Sequence, residues 1–152
     1  MTEEFRMTVA LPDLAATAAL GAAIAGQLDR GDAVLLRGDL GSGKTTLARA
    51  ILSALGVDET VPSPTFTLVQ TYETPRFPVS HYDLYRLKRP SELDELGLDE
   101  ALDDGAALIE WPERVEDRIP PGALTVHLLA DRERRATLAG PARWRSLETA
   151  HV

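Results

Sequence analysis

The stretch Gly38–Thr45, GDLGSGKT, constrains this chain more than any other. It satisfies G-x-x-x-x-G-K-[ST], with Gly38, Gly43, Lys44 and Thr45 at the required places. Glycines allow a turn tight enough for successive backbone N–H groups to face phosphate oxygens. Lys44 supplies a point charge for the β- and γ-phosphates. The Thr45 hydroxyl is placed to ligate Mg²⁺. A helix opening at Lys44 aims its positive end at the same anion.

The flanks give the loop its context. Upstream, Ala33-Val-Leu-Leu-Arg37 is a short apolar run of the kind that forms a buried parallel strand. Downstream, Thr46 to Leu55 reads as a helix with Leu47, Ile51, Leu52 and Leu55 on one face, and Gly56 stands where its C-terminal cap belongs. Strand, glycine loop and helix follow in the order that a phosphate-binding unit needs.

The remainder reads as α/β. Asp13 caps a helix running to about Arg30, with Leu14, Ala18, Gly21, Ala22, Ala25 and Leu28 as its apolar stripe and Gly31 as its stop. Most of that stripe is core packing, while its beginning, Leu11 to Thr17, is a candidate lining for an adenine pocket. Pro62 and Pro64 make Val57 to Pro64 a stiff loop. Phe66 to Tyr72 and Val79 to Tyr85 form a hairpin around the Pro75–Pro78 turn. Ser91 caps a short acidic helix ending at Gly97, and another helix follows from about Asp99 to Asp103. Ala106 to Glu110 is an apolar strand ending in an acid, and Pro112 to Arg118 a short helix begun by proline. Leu124 to Leu129 and Arg135 to Leu138 are two closing antiparallel strands, and Ala142 to Leu147 a small helix or a frayed tail.

Composition narrows the class. The 152 residues are read as one domain, 1–152, with 141–152 a loosely ordered tail. There is no cysteine, so no disulfide, thiolate nucleophile or thiolate metal site, and a cytoplasmic setting is expected. No apolar run approaches the ~20 residues of a membrane span, and MTEEFRM lacks the apolar segment of a signal peptide. Sixteen Lys plus Arg against twenty-four Asp plus Glu leave a net charge of −8, opposite to the basic footprint of a nucleic-acid binder.

A phosphate loop needs a carboxylate at the end of a neighbouring strand. Glu110 closes the strand ALIE, and Asp83 ends HYD in the hairpin; one is expected toward Mg²⁺ and the other toward the attacking water. Thr65, between the loop's helix and the next strand, stands where GTPase-like enzymes carry a switch threonine. Trp111 packs on nucleotide, partner or Pro112. His81 reads as structural. Arg132, Arg134 and Arg135 form a basic cluster whose default is a solvated turn, though one could reach a phosphate. No Ser-His-Asp order, H-E-x-x-H or C-x-x-C competes with nucleotide chemistry.

GDLGSGKTT at Gly38, SPTFTLVQTY at Ser63, HYDLYRL at His81, ELDELGLDE at Glu92 and IEWPER at Ile109 occur in that order. In this combination the chain resembles the TsaE (YjeE) family, P-loop ATPases of tRNA threonylcarbamoyladenosine (t6A) synthesis, from about Asp13 to Ala139. The resemblance implies a three-layer P-loop NTPase-like α/β fold with a mixed, partly parallel sheet. It implies ATP bound by Gly38, Asp39, Leu40, Gly41, Ser42, Gly43, Lys44, Thr45 and Thr46, with Leu14, Trp111 and Arg134 as further contacts, and Mg²⁺ on Thr45 and Glu110. Lys44, Thr65, Asp83 and Glu110 would be its catalytic set. Partners would be TsaB- and TsaD-type subunits, with tRNA met only through them. The late segment Glu133-Arg134-Arg135-Ala136 matches the family pattern only loosely, and no N-K-x-D guanine motif is present, which favours ATP. Two other classes use the same loop: a small-molecule kinase, though no Arg-rich lid is evident between Leu84 and Asp104, and a nucleotide sensor that binds without turnover.

Overall fold

Strand and helix periods alternate along this chain, and a sheet between helical layers buries both. The structure is a computed structural model that describes residues 4–57 and 68–150. In chain order these form β1 (Phe5–Ala10), α1 (Leu14–Gln27), β2 (Ala33–Arg37), α2 (Lys44–Ala54), β3 (Val69–Tyr72), β4 (Val79–Asp83), α3 (Glu92–Glu95), α4 (Leu98–Asp104), β5 (Ala106–Glu110), β6 (Leu124–Leu129), β7 (Arg135–Gly140) and α5 (Leu147–Ala150). Two 3-10 segments, Pro112–Arg118 and Ala142–Ser146, follow β5 and β7.

The seven strands lie in the order β1-β7-β6-β2-β5-β4-β3. The middle of the sheet is parallel: β2 pairs with β5 and β6, and β4 pairs with β5. The outer pairs are antiparallel. This is the mixed α/β architecture expected from the sequence. Alternation along β2 divides the core, since Val34 and Leu36 face one cluster with α1 and α2, and Leu35 faces another with Leu93, Leu98 and Val115.

Several boundaries differ from the expectation. α1 stops at Gln27, short of Arg30, because the Arg76 guanidinium donates to the carbonyls of Ala25 (2.8 Å) and Leu28 and so caps the helix end. Its buried stripe is Leu20, Gly21, Ile24 and Ala25, whereas Ala18 and Ala22 face solvent. The Asp13 cap is present, its carboxylate accepting from Ala16 N at 2.9 Å. β4 ends at Asp83 because the Asp83 carboxylate accepts from Tyr85 N (3.1 Å), which turns the chain. Ser91 makes no side-chain cap; Glu92 instead folds back to accept from Lys88 N and Arg89 N. β1 has no counterpart in the sequence reading, and β7 continues to Gly140 because β1 pairs with it along its length, Phe5 opposite Gly140.

After β7 the chain continues through the 3-10 segment Ala142–Ser146 into α5. Trp144 is fully buried there, and its Nε1 donates to Gly122 O at 2.9 Å. Among the described residues, no helix is long and apolar enough to cross a membrane.

Candidate functional site

β2, β4 and β5 end on the same edge of the sheet because they run parallel, and that edge is where open α/β sheets hold ligands. The glycine loop leaves β2 there. Gly38 (φ 147°) can carry no side chain, since a Cβ would fall 2.5 Å from Ser42 Oγ and 2.7 Å from Leu128 O. Gly41 (φ 80°) and Gly43 (φ 108°) turn the chain through the left-handed region, and Leu47 N donates to Gly43 O (2.9 Å) to start α2. The Ser42 hydroxyl is buried inside the loop without a hydrogen-bond partner among the described residues.

Lys44 is buried, and its ammonium donates to the carbonyls of Gly38 (2.6 Å) and Asp39 (2.9 Å). Burial lowers its pKa from the ordinary lysine value, and the Glu110 carboxylate is the foremost group opposing that shift. The Trp111 ring lies 4.2 Å from Nζ, a cation–π distance. Trp111 holds a left-handed backbone (φ 62°), unusual for a bulky residue, and its ring sits 4.8 Å from that of Tyr85.

Glu110 stands beside the loop because its strand neighbour is Leu36, two residues before Gly38. Its carboxylate accepts from the Thr45 hydroxyl at 3.0 and 2.9 Å. On its other side, β4 sets Asp83 opposite Glu110, and Asp83 is buried. His81 reaches Glu110 from within the sheet, Nε2 to Oε2 at 2.7 Å. In sequence alone, a lone histidine such as His81 reads as structural. The signal that finds it is the two-residue step to Asp83, which puts both side chains on one face of the strand.

Two cavities meet across the loop and share Gly41, Gly43 and Thr46. One, of about 420 Å³, is lined by Lys44, Thr45, Asp83, Glu110, Trp111 and the exposed Leu40. The other, of about 340 Å³, is lined by Leu11, Leu14, Thr17 and Arg134. Leu14 is 75% exposed, so it forms a rim and not a core contact. Arg134 Nη1 donates to Ser42 O at 3.3 Å, which brings this loosely matched position onto the loop itself. Arg135 turns instead to Asp131 (2.8 Å). The structure therefore gathers Leu14, Asp83, Glu110, Trp111 and Arg134 around one loop, while Arg135 does not join them through its guanidinium. Thr65 lies outside the described residues.

The donor set suits a hard cation. Mg²⁺ takes oxygen ligands and keeps waters, binding through one or two protein groups plus phosphate. The Thr45 hydroxyl and the Glu110 carboxylate are such a pair, already in contact. Among the described residues no group of three or more His, Asp or Glu could hold a metal without help.

The profile of the family described as "Threonylcarbamoyl adenosine biosynthesis protein TsaE" matches residues 11–137. A relative from Rickettsia bellii is 47% identical over 115 residues, covering 74% of this chain and 80% of that protein. One from Rickettsia felis is 46% identical over 113 residues, covering 74% of this chain and 66% of that protein, a little under two thirds of its length. Both are named "tRNA threonylcarbamoyladenosine biosynthesis protein TsaE". The crystal structure of Bacillus subtilis YdiB superposes with a TM-score of 0.80 at 28% identity, covering 99% of this chain and 96% of that one. With a match that takes in the loop, both strand-end acids and Arg134, the chain belongs to the TsaE family.

Proposed function

We propose that this chain is an Mg-ATP-hydrolysing subunit of tRNA threonylcarbamoyladenosine synthesis, acting on TsaB- and TsaD-type partners in the cytoplasm. The observation that carries the reading is the convergence of Lys44, Thr45 and Glu110 on one loop at the parallel strand ends. The relatives' names supply the pathway.

ATP would lie along the loop, its adenine in the cavity rimmed by Leu14 and Arg134 and its γ-phosphate in the cavity that holds Asp83 and Glu110. Lys44 would exchange the carbonyls of Gly38 and Asp39 for phosphate oxygens. Thr45 and Glu110 would hold Mg²⁺, which when bound neutralises charge on the β- and γ-phosphates. Asp83 would accept a hydrogen bond from water and orient it in line with the bond to ADP. Water would then add to the γ-phosphorus as that bond breaks, giving ADP and inorganic phosphate, with the surplus proton passing to solvent. Little covalent chemistry falls to the protein; positioning and charge stabilisation supply the rate. The net charge of −8 suits a subunit that docks on proteins and leaves the tRNA to another.

The test is phosphate release from Mg-ATP by the chain alone and with its TsaB–TsaD partners. Slow release alone and faster release with partners is expected. Transfer of the γ-phosphate to an added metabolite, or partner capture that follows nucleotide with no phosphate ever released, would overturn the reading.

A further inference from the structure

His81 is wholly buried in the middle of β4, opposite Leu108 in the register and two residues short of the Asp83–Glu110 pair. From there its Nε2 lies 2.7 Å from Glu110 Oε2, the same oxygen that the Thr45 hydroxyl reaches at 2.9 Å. An ionised carboxylate only accepts, so the imidazole donates Nε2–H. Its Nδ1 is buried and meets no hydrogen-bond partner among the described residues. That suits a neutral ring carrying its proton on Nε2, because an Nδ1–H would be a buried donor with nothing to accept it.

We propose that His81 is a positioning residue: through Nε2–H it fixes the Glu110 carboxylate beside Thr45, presetting the acid for the Mg²⁺ of a bound nucleotide. This rests on the role given to Glu110 above, but the hydrogen bond belongs to the nucleotide-free chain. A glutamate at a strand end has three side-chain torsions to fix, and the Thr45 hydroxyl alone would leave it to follow the loop. The imidazole ties it to the rigid parallel sheet instead. Partners behind a ligating group commonly matter almost as much as the ligand itself.

Two measurements test it. Nitrogen NMR of nucleotide-free wild type should find His81 protonated at Nε2 and bare at Nδ1; the reverse tautomer overturns the proposal. Calorimetric titration of ADP, with and without Mg²⁺, should then compare wild type with His81→Leu, which keeps bulk and loses the donor, and His81→Gln, which returns an N–H near the Nε2 position. In His81→Leu the Mg²⁺-dependent gain in ADP affinity should shrink by about 10- to 100-fold, with Mg²⁺-free ADP binding unchanged, and His81→Gln should recover most of it. Should His81→Leu not fold, His81→Asn, too short to reach, takes its place. Equal losses with and without Mg²⁺, or no recovery in His81→Gln, would reduce His81 to core packing. A retained gain in His81→Leu sinks only the role of His81. A wild type whose ADP affinity ignores Mg²⁺ sinks the role of Glu110 and this proposal with it.

Discussion

Thr45 and Glu110 are 65 positions apart, yet the Thr45 hydroxyl donates to both oxygens of the Glu110 carboxylate, at 3.0 and 2.9 Å. The contact arises because β2 and β5 run side by side with Leu36 opposite Glu110, so the loop leaving β2 folds over the end of β5. Thr45→Val keeps the shape and removes the hydroxyl. Its expected effect is a loss of Mg²⁺-dependent nucleotide affinity, with Thr45→Ser close to wild type, as read by titrations with and without Mg²⁺. Equal affinity in Thr45→Val and wild type would separate this pair from the metal.

Asp83 and Glu110 are register partners on adjacent strands, and the reading gives them different work. Asp83→Asn keeps an oxygen for the Tyr85 N–H and removes the charge proposed to orient water. Its kcat should fall by about 10²- to 10⁴-fold with KM little changed. Glu110→Ala should also abolish turnover while weakening Mg-nucleotide binding more than Mg²⁺-free binding. Steady-state kinetics beside calorimetry checks the split; the opposite pattern would exchange the two assignments.

Tyr82 gives a pH prediction. Its buried phenol donates to Leu96 O at 3.1 Å, and burial pushes its pKa from 10.0 up to about 12. Between those values the unfolded chain has released the proton and the folded chain still holds it. Stability therefore falls as pH rises through this window, by on the order of 2 kcal/mol. Tyr82→Phe has no proton to lose. At pH 8 it should be less stable than wild type by about 1 kcal/mol for the lost hydrogen bond, and the gap should narrow or reverse above pH 10. Denaturant melts across that range decide it; parallel curves would contradict it.

Two glycines on α1 should respond in opposite directions. A methyl at Gly21 would fall 2.6 Å from Ala50 Cβ and 2.9 Å from the Ala50 carbonyl carbon, so Gly21→Ala must push α1 away from α2. It should cost about 1–3 kcal/mol. A methyl at Gly26 meets nothing within 4 Å. Gly26→Ala should stabilise by about 0.5–1 kcal/mol, from the helix preference of alanine. Thermal or denaturant melts of both variants give the comparison.

The centre of the molecule was legible in the sequence because local pattern and tertiary role coincide there. Ala33–Leu36 and Ala106–Ile109 are apolar throughout since both faces of their strands are covered, and the glycine loop carries its own conformational signature. The edges were less legible. β1 pairs with β7, 125 to 135 residues away. Its run FRMTVA does alternate, with Phe5, Met7 and Val9 inward and Arg6, Thr8 and Ala10 outward. Six residues with one weakly apolar position on the outer face make a faint signal without that distant partner. The end of α1 is set by Arg76, a contact no local window contains. Within the site, Lys44, Thr45, Asp83 and Glu110 announced themselves by motif or strand end. His81 did not, because its meaning lies in a diagonal contact across two strands. Arg134 was ambiguous in sequence because a turn, not a regular element, delivers it to Ser42.

The central claim is that a triphosphate sits on the loop ahead of Lys44. Calorimetric titration of Mg-ATP into wild type and Lys44→Ala tests it most directly. One site per chain in wild type, with heat lost or affinity severely reduced in Lys44→Ala, is the predicted result. No uptake by a folded wild type, or equal uptake by the variant, would contradict the account.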